Sequence, residues 1–138
     1  MAAGLTVLAD SGAWIDYLRS QKGALAARLD LAIETEVVMV GDLILAEVLR
    51  GLPDDRDAAR VVASLETFEF VELGGAAVAQ EAARMYRHMR AKGVTVRGTL
   101  DMLVGAWCCF NDVPLIHDDR DFKAMERWCG LKSWHALN

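Results

Sequence analysis

The residues that could do chemistry in this chain are acidic. Asp10 closes the short apolar run Leu5-Thr-Val-Leu-Ala9, and Asp118, Asp119 and Asp121 follow another, Val113-Pro-Leu-Ile-His117. Two more acids lie inside segments otherwise suited to burial: Glu47 in Leu43-Ile-Leu-Ala-Glu-Val-Leu49, and Asp101 between Leu100 and Met102-Leu103-Val104. A carboxylate on an apolar helix costs several kcal/mol unless it is paired or bound to a cation. Taken singly, Asp10 and Asp101 read as helix caps. Gathered at one edge without a counter-charge, the acids would repel and raise each other's pKa values. A hard divalent cation such as Mg²⁺ or Mn²⁺ relieves that repulsion, because carboxylate oxygens and water are its preferred ligands. Glu34, Glu36, Asp54 and Asp57 read as ordinary surface acids.

Other chemistries find no pattern here. There is no GxxxxGK[ST] or GxGxxG phosphate cradle and no GxSxG nucleophile elbow. A phosphotransferase of the haloacid-dehalogenase kind needs a second Asp two residues after the first, but Asp10 is followed by Ser11 and Gly12. A receiver domain needs its acidic pair early, whereas the adjacent acids come late. Cys108, Cys109 and Cys129 are odd in number and form no CxxC, so neither a disulfide framework nor a zinc site is expected.

The elements that must position the acids follow from apolar patterning. Leu5–Ala9, Val37–Val40, Phe68–Leu73 and Val113–His117 read as strands, with Leu131–Trp134 as a candidate fifth at an edge. Helices are expected after Ser11, over about 23–34, after a cap at Asp42, over 55–65, 76–92, 100–110 and 122–128. Short apolar strands alternating with helices predict an α/β fold, a three-layer α/β/α domain around a mostly parallel sheet of four to five strands. In such folds the site lies beyond the carboxyl ends of the strands, where the strand order switches, and that is where Asp10 and the late acids fall.

The chain's 138 residues suit a single domain, residues 1–138. With 54% hydrophobic and 25% charged residues it is no disordered chain. The net charge of −5 excludes nucleic-acid binding by bulk positive charge, though not binding through metal ions and a local arginine patch. Arg120, set within the late acidic motif, is the basic residue best placed to touch a phosphate. Arg84, Arg87, His88, Arg90 and Lys92, with Arg97 beyond, read either as a solvated helix face or as an RNA-backbone track. His117 reads as strand-end packing, and Trp14, Trp107, Trp128 and Trp134 as core or interface. The longest uncharged stretch, Met102–Asn111, is far shorter than a membrane span. The start of the chain has no basic region before its apolar run, so a cytoplasmic protein is expected.

Four motifs in order, Asp10-Ser-Gly-Ala-Trp-Ile15, Leu45-Ala-Glu-Val-Leu-Arg-Gly51, Asp101-Met-Leu-Val-Gly-Ala106 and His117-Asp-Asp-Arg-Asp-Phe122, resemble the PIN-domain family. In particular they resemble the VapC toxins of bacterial VapBC toxin–antitoxin modules, from about Leu5 to Trp134. The resemblance implies a Mg²⁺-dependent endoribonuclease, with Mn²⁺ able to substitute, that cuts tRNA or rRNA. It maps the metal acids onto Asp10, Glu47, Asp101 and Asp119, with Asp121 as a second acid of the last motif, and leaves Asp118 out. Asp10 and Asp101 would bind metal directly, Asp119 would bind it or its waters, and Glu47 would ligate or orient the attacking water. Ser11 fits a hydroxyl near the metal, with Thr99 a weaker candidate. The implied partners are a VapB-type antitoxin, in a groove of the early helices around Trp14 to Ile33, a second copy in a homodimer, and the RNA substrate. The alternative is a PIN domain kept as a catalytically weak scaffold or RNA-binding module.

Overall fold

A computed structural model describes residues 4–19 and 23–135. The elements run β1 (Thr6–Ala9), α1 (Ser11–Leu18), α2 (Ala24–Thr35), β2 (Val37–Gly41), α3 (Asp42–Arg50), α4 (Asp55–Leu65), β3 (Glu69–Val71), α5 (Ala76–Ala91), α6 (Thr99–Asn111), β4 (Leu115–Ile116) and α7 (Arg120–Cys129). The strands form one parallel sheet in the order β3-β2-β1-β4. The chain therefore moves outward from β1 to β2 and β3, then returns through α5 and α6 to add β4 on β1's other side. The switch point lies between β1 and β4, as the α/β pattern predicts.

Both central strands are apolar because both faces of the sheet are covered. Val7, Leu8 and Ala9 of β1 are fully buried and Val38, Met39 and Val40 of β2 are buried; Leu115 and Ile116 of the outer strand β4 are fully buried as well. Trp14 is fully buried too, with its ring edge-on to Tyr17 and Phe68. Among the helices, α1 packs with α2 and α3, and α5, α6 and α7 pack together, with α3 also meeting α6. Trp107 and Trp134 are buried as expected, and the three cysteines are free. No described helix is long and apolar enough to cross a membrane.

Some expected elements are shorter, each because a backbone N–H finds a closer acceptor. Phe68 N–H bonds Leu65 O at 3.0 Å and Leu73 N–H bonds Asp42 Oδ1 at 3.0 Å, so β3 keeps only Glu69–Val71. Val113 N–H closes the end of α6 on Cys108 O, so β4 begins two residues later. The candidate fifth strand reduces to one parallel bridge, Leu115 to Ser133. Asp42 does not cap α3: Gly41 holds the cap position, and the Asp42 carboxylate instead accepts from Leu43 and Leu73, tying α3 to the end of β3.

Candidate metal centre

The first acid is fixed by the sheet itself. Asp10 N–H continues the β1–β4 ladder by bonding Ile116 O at 3.0 Å, which holds Asp10 at the switch point. Asp10 stands at the N-cap position of α1, yet its side chain makes no capping hydrogen bond. Asp101 lies within the first turn of α6, whose cap position belongs to Gly98. The cap reading therefore fails for both residues, and both carboxylates remain available to a ligand.

Glu47 shares a face of α3 with buried Ile44 and Val48, which turns it inward. Carboxylate oxygens of Asp10, Glu47 and Asp101 all lie within 4.8 Å of one another, and so do those of Asp101, Asp119 and Asp121. Asp101 belongs to both groups and joins them into one cluster. Packing of α6 against α3 and α7 makes this possible. A Cβ at Gly105, one turn after Asp101, would collide with Met125 Sδ, so a larger residue there would force the Met125 side chain between α6 and α7 to shift.

The electrostatics are those of like charges with no counter-charge. Among the described residues none of these five acids makes an ion pair. Asp10 Oδ1 and Glu47 Oε1 are buried with no hydrogen-bond partner. Burial, with lesser repulsion from Asp101, Glu47 and Asp119, pushes the Asp10 carboxyl up to about 7, although the Ser11 N–H favours the ionised form. Burial, then Asp119, Glu47 and Asp121, pushes Asp101 up to about 6. Orphaned buried oxygens on converging carboxylates fit a hard divalent cation, which takes oxygen ligands from several directions. No such demand exists at Asp118, which is exposed and pairs with Lys123 at 3.2 Å.

Ser11, half-buried, opens α1 beside Asp10, and exposed Thr99 opens α6 two residues before Asp101. Arg120 opens α7 between Asp119 and Asp121; it is exposed and makes no ion pair among the described residues. The basic residues of α5 divide. Arg84 is engaged by Glu81 at 2.9 Å, and Lys92 lies over the Trp128 ring together with Arg127. Arg87 and Arg97 instead line a cleft of about 600 Å³ between α5 and α6, which Tyr86 and Thr99 also border.

Sequence reasoning missed a buried polar network behind Asp119. His117, expected only to pack, has its ring against Phe122 but also meets Glu126 Oε2 through Nε2 at 2.8 Å. Burial holds its pKa below the ordinary histidine value, against the opposing pull of Glu126. Glu126 lies one turn beyond Phe122 and next to Met125, both fully buried. Glu126 carries the same signal as Glu47, an acid on a helix face that also presents buried apolar side chains.

A model of the PIN domain matches residues 7–127. Ribonuclease VapC11 of Mycobacterium tuberculosis is 28% identical over 130 residues, covering 92% of this chain and 96% of that protein. VapC ribonuclease Mb1587 of Mycobacterium bovis matches to the same extent. Among solved structures, VapBC2 of Rickettsia felis bound to a DNA fragment from its promoter superposes with a TM-score of 0.75 at 14% identity, over 95% of this chain and 100% of that one. VapC20 of M. tuberculosis, a sarcin–ricin loop cleaving toxin, superposes with a TM-score of 0.65 at 16% identity, over 91% and 98%. The chain belongs to the PIN-domain family, in which it resembles the VapC ribonucleases.

Proposed function

We propose that this protein is a Mg²⁺-dependent endoribonuclease, with Mn²⁺ able to substitute, acting as the toxin of a VapBC-type module in the cytoplasm. The observation that carries the reading is the cluster of carboxylates at the switch point, two of whose buried oxygens have no partner in the protein. When bound there, a divalent ion supplies an activated water and relief of charge on the phosphorane-like transition state. Asp10 and Asp101 would hold the ion, with Asp119 and Asp121 from the second group holding it or its waters. Glu47, at the inner wall, would ligate or orient the attacking water. Ser11 would offer a hydroxyl to the substrate phosphate or to a bound water. Arg120, at the rim, would offer a guanidinium to the RNA backbone, and Arg87 and Arg97 would extend that track.

The substrate class, tRNA or rRNA, follows the VapC likeness, as do a homodimer and a VapB-type antitoxin lying on α1 and α2. The test is induced expression without antitoxin, alongside cleavage of total RNA with Mg²⁺ or Mn²⁺ and sequencing of the RNA ends. Growth should stop, and discrete cuts should appear in tRNA or rRNA. Asp10→Asn and Asp101→Asn should lose both effects while still folding. Glu47→Gln should be milder, by about 10–100-fold, if it acts through the water. Variants as toxic and active as the parent would overturn the metal-nuclease reading. A harmless, inactive parent would leave the scaffold reading in its place.

A further inference from the structure

We propose that His117 and Glu126 form a positioning pair that fixes the backbone, and through it the carboxylate, of Asp119. The proposal rests on the metal-centre reading above for the purpose of that carboxylate. Asp119 N–H lies 3.2 Å from His117 Nδ1. A backbone N–H only donates, so Nδ1 accepts and carries no proton. The ring proton therefore sits on Nε2, where it is donated to Glu126 Oε2 at 2.8 Å. Both ring nitrogens are thus assigned by their partners, and the side chain is 1% exposed, so no water competes for either.

The rest of His117 is held as firmly. Its ring packs against Phe122, and its carbonyl accepts from Arg28 Nη1 at 3.1 Å. The same guanidinium donates through Nη2 to Trp134 O at 2.8 Å, fastening the end of β4 to α2 and to the chain after α7. Glu126 lies about two turns along the helix that Asp119 caps. The contacts form a closed loop: Asp119 opens α7, α7 carries Glu126, Glu126 holds the imidazole, and the imidazole holds Asp119 N–H. Asp119 Oδ1 is already engaged by Asp121 N–H at 2.7 Å, so Oδ2 and the remaining lone pair of Oδ1 are left for a ligand. Where they point depends on the Asp119 backbone, which the imidazole fixes from behind. Histidine with a carboxylate behind it is a common way to orient a metal-site group, but here the imidazole acts on a backbone N–H and binds no metal.

The test combines metal affinity with a spectroscopic signature. In the metal-free parent, long-range ¹H–¹⁵N correlation should show His117 protonated at Nε2 and bare at Nδ1. A proton on Nδ1 would overturn the proposal without reference to metal. His117→Phe keeps the ring packing and deletes the acceptor, and it should raise the Mn²⁺ dissociation constant about 10–100-fold by calorimetry. His117→Asn places an amide oxygen near the position of Nδ1 and should recover most of the affinity. Glu126→Gln keeps an acceptor for Nε2–H and should bind Mn²⁺ as the parent does, whereas Glu126→Leu should not. If His117→Phe folds and binds Mn²⁺ as tightly as the parent, the positioning role is wrong while the metal reading stands. If the parent, with the expected tautomer, binds no Mn²⁺, the metal reading is what fails.

Discussion

At the scale of single residues, the Asp10 carboxyl at about 7 makes the metal-free protein sensitive to pH. Between pH about 4 and 7 the unfolded chain has released this proton while the folded chain keeps it, and Asp101 behaves alike up to about 6. The unfolded state then binds fewer protons, so stability falls as pH rises through that window. With EDTA present, the fall in melting temperature from pH 5 to pH 8 should be larger in the parent than in Asp10→Asn; the buried His117, with its lowered pKa, works in the opposite direction in both and cancels from the comparison. Saturating Mn²⁺ should reverse the order, because the ion competes with the protons for the same oxygens. At about 100 times its dissociation constant it should add about 2.7 kcal/mol, a gain that Asp10→Asn should abolish. Melting curves recorded across pH with EDTA or Mn²⁺ check each point, and curves identical in both would remove the case for a metal centre.

At the scale of elements, the centre depends on how closely α6 approaches α7. Asp101 and Gly105 are one turn apart on α6, and Gly105 faces the Met125 side chain of α7, so crowding at that contact should push on the helix that carries Asp101. Met125 is fully buried and has little room to swing aside. Gly105→Ala should cost about 1–3 kcal/mol through overpacking and weaken Mn²⁺ binding as Asp101 is displaced from Asp119 and Asp121. Shortening the partner in Gly105→Ala/Met125→Ala should restore part of the affinity, a coupling that a double-mutant cycle would measure. If Gly105→Ala is destabilised but binds Mn²⁺ unchanged, the helix contact matters to the fold alone.

At the scale of the whole molecule, an acidic protein of net charge −5 is proposed to act on a polyanion. Its attraction for RNA must come from local cations and from the bound ion. Arg120→Glu should weaken RNA binding at low salt and reduce the salt dependence by about one phosphate contact. Exposed and outside any ion pair among the described residues, Arg120 can be reversed without unfolding the metal-free protein, although the added negative charge beside Asp119 and Asp121 should lower its melting temperature somewhat. Filter binding across a salt series measures the first effect, and thermal denaturation the second. Parent-like binding and cleavage by Arg120→Glu would show that the phosphate track runs elsewhere, with the Arg87 and Arg97 cleft the next place to look.

The order of elements, the parallel sheet and the acids worth watching could all be read from the chain alone. Burial of β1 and β2 shows as continuous apolar runs, and Glu47 and Asp101 stand out because their apolar neighbours predict a place where a carboxylate is costly. Such signals are local and survive without knowledge of the fold. What the tertiary structure decided was partner choice across long separations. Whether Asp10 caps α1 depends on where its carboxylate turns once Ile116 has taken its backbone N–H. Asp42 was expected to cap its helix, but its oxygen also takes Leu73 N–H, 31 residues away, and ends β3 early. The service of His117 to Asp119 depends on Glu126 arriving behind the ring, which happens only when α7 folds back over the end of β4. A hydrogen bond reaches only about 3 Å. Chain spacing alone cannot say which distant donor and acceptor come that close, and the packing of the layers does.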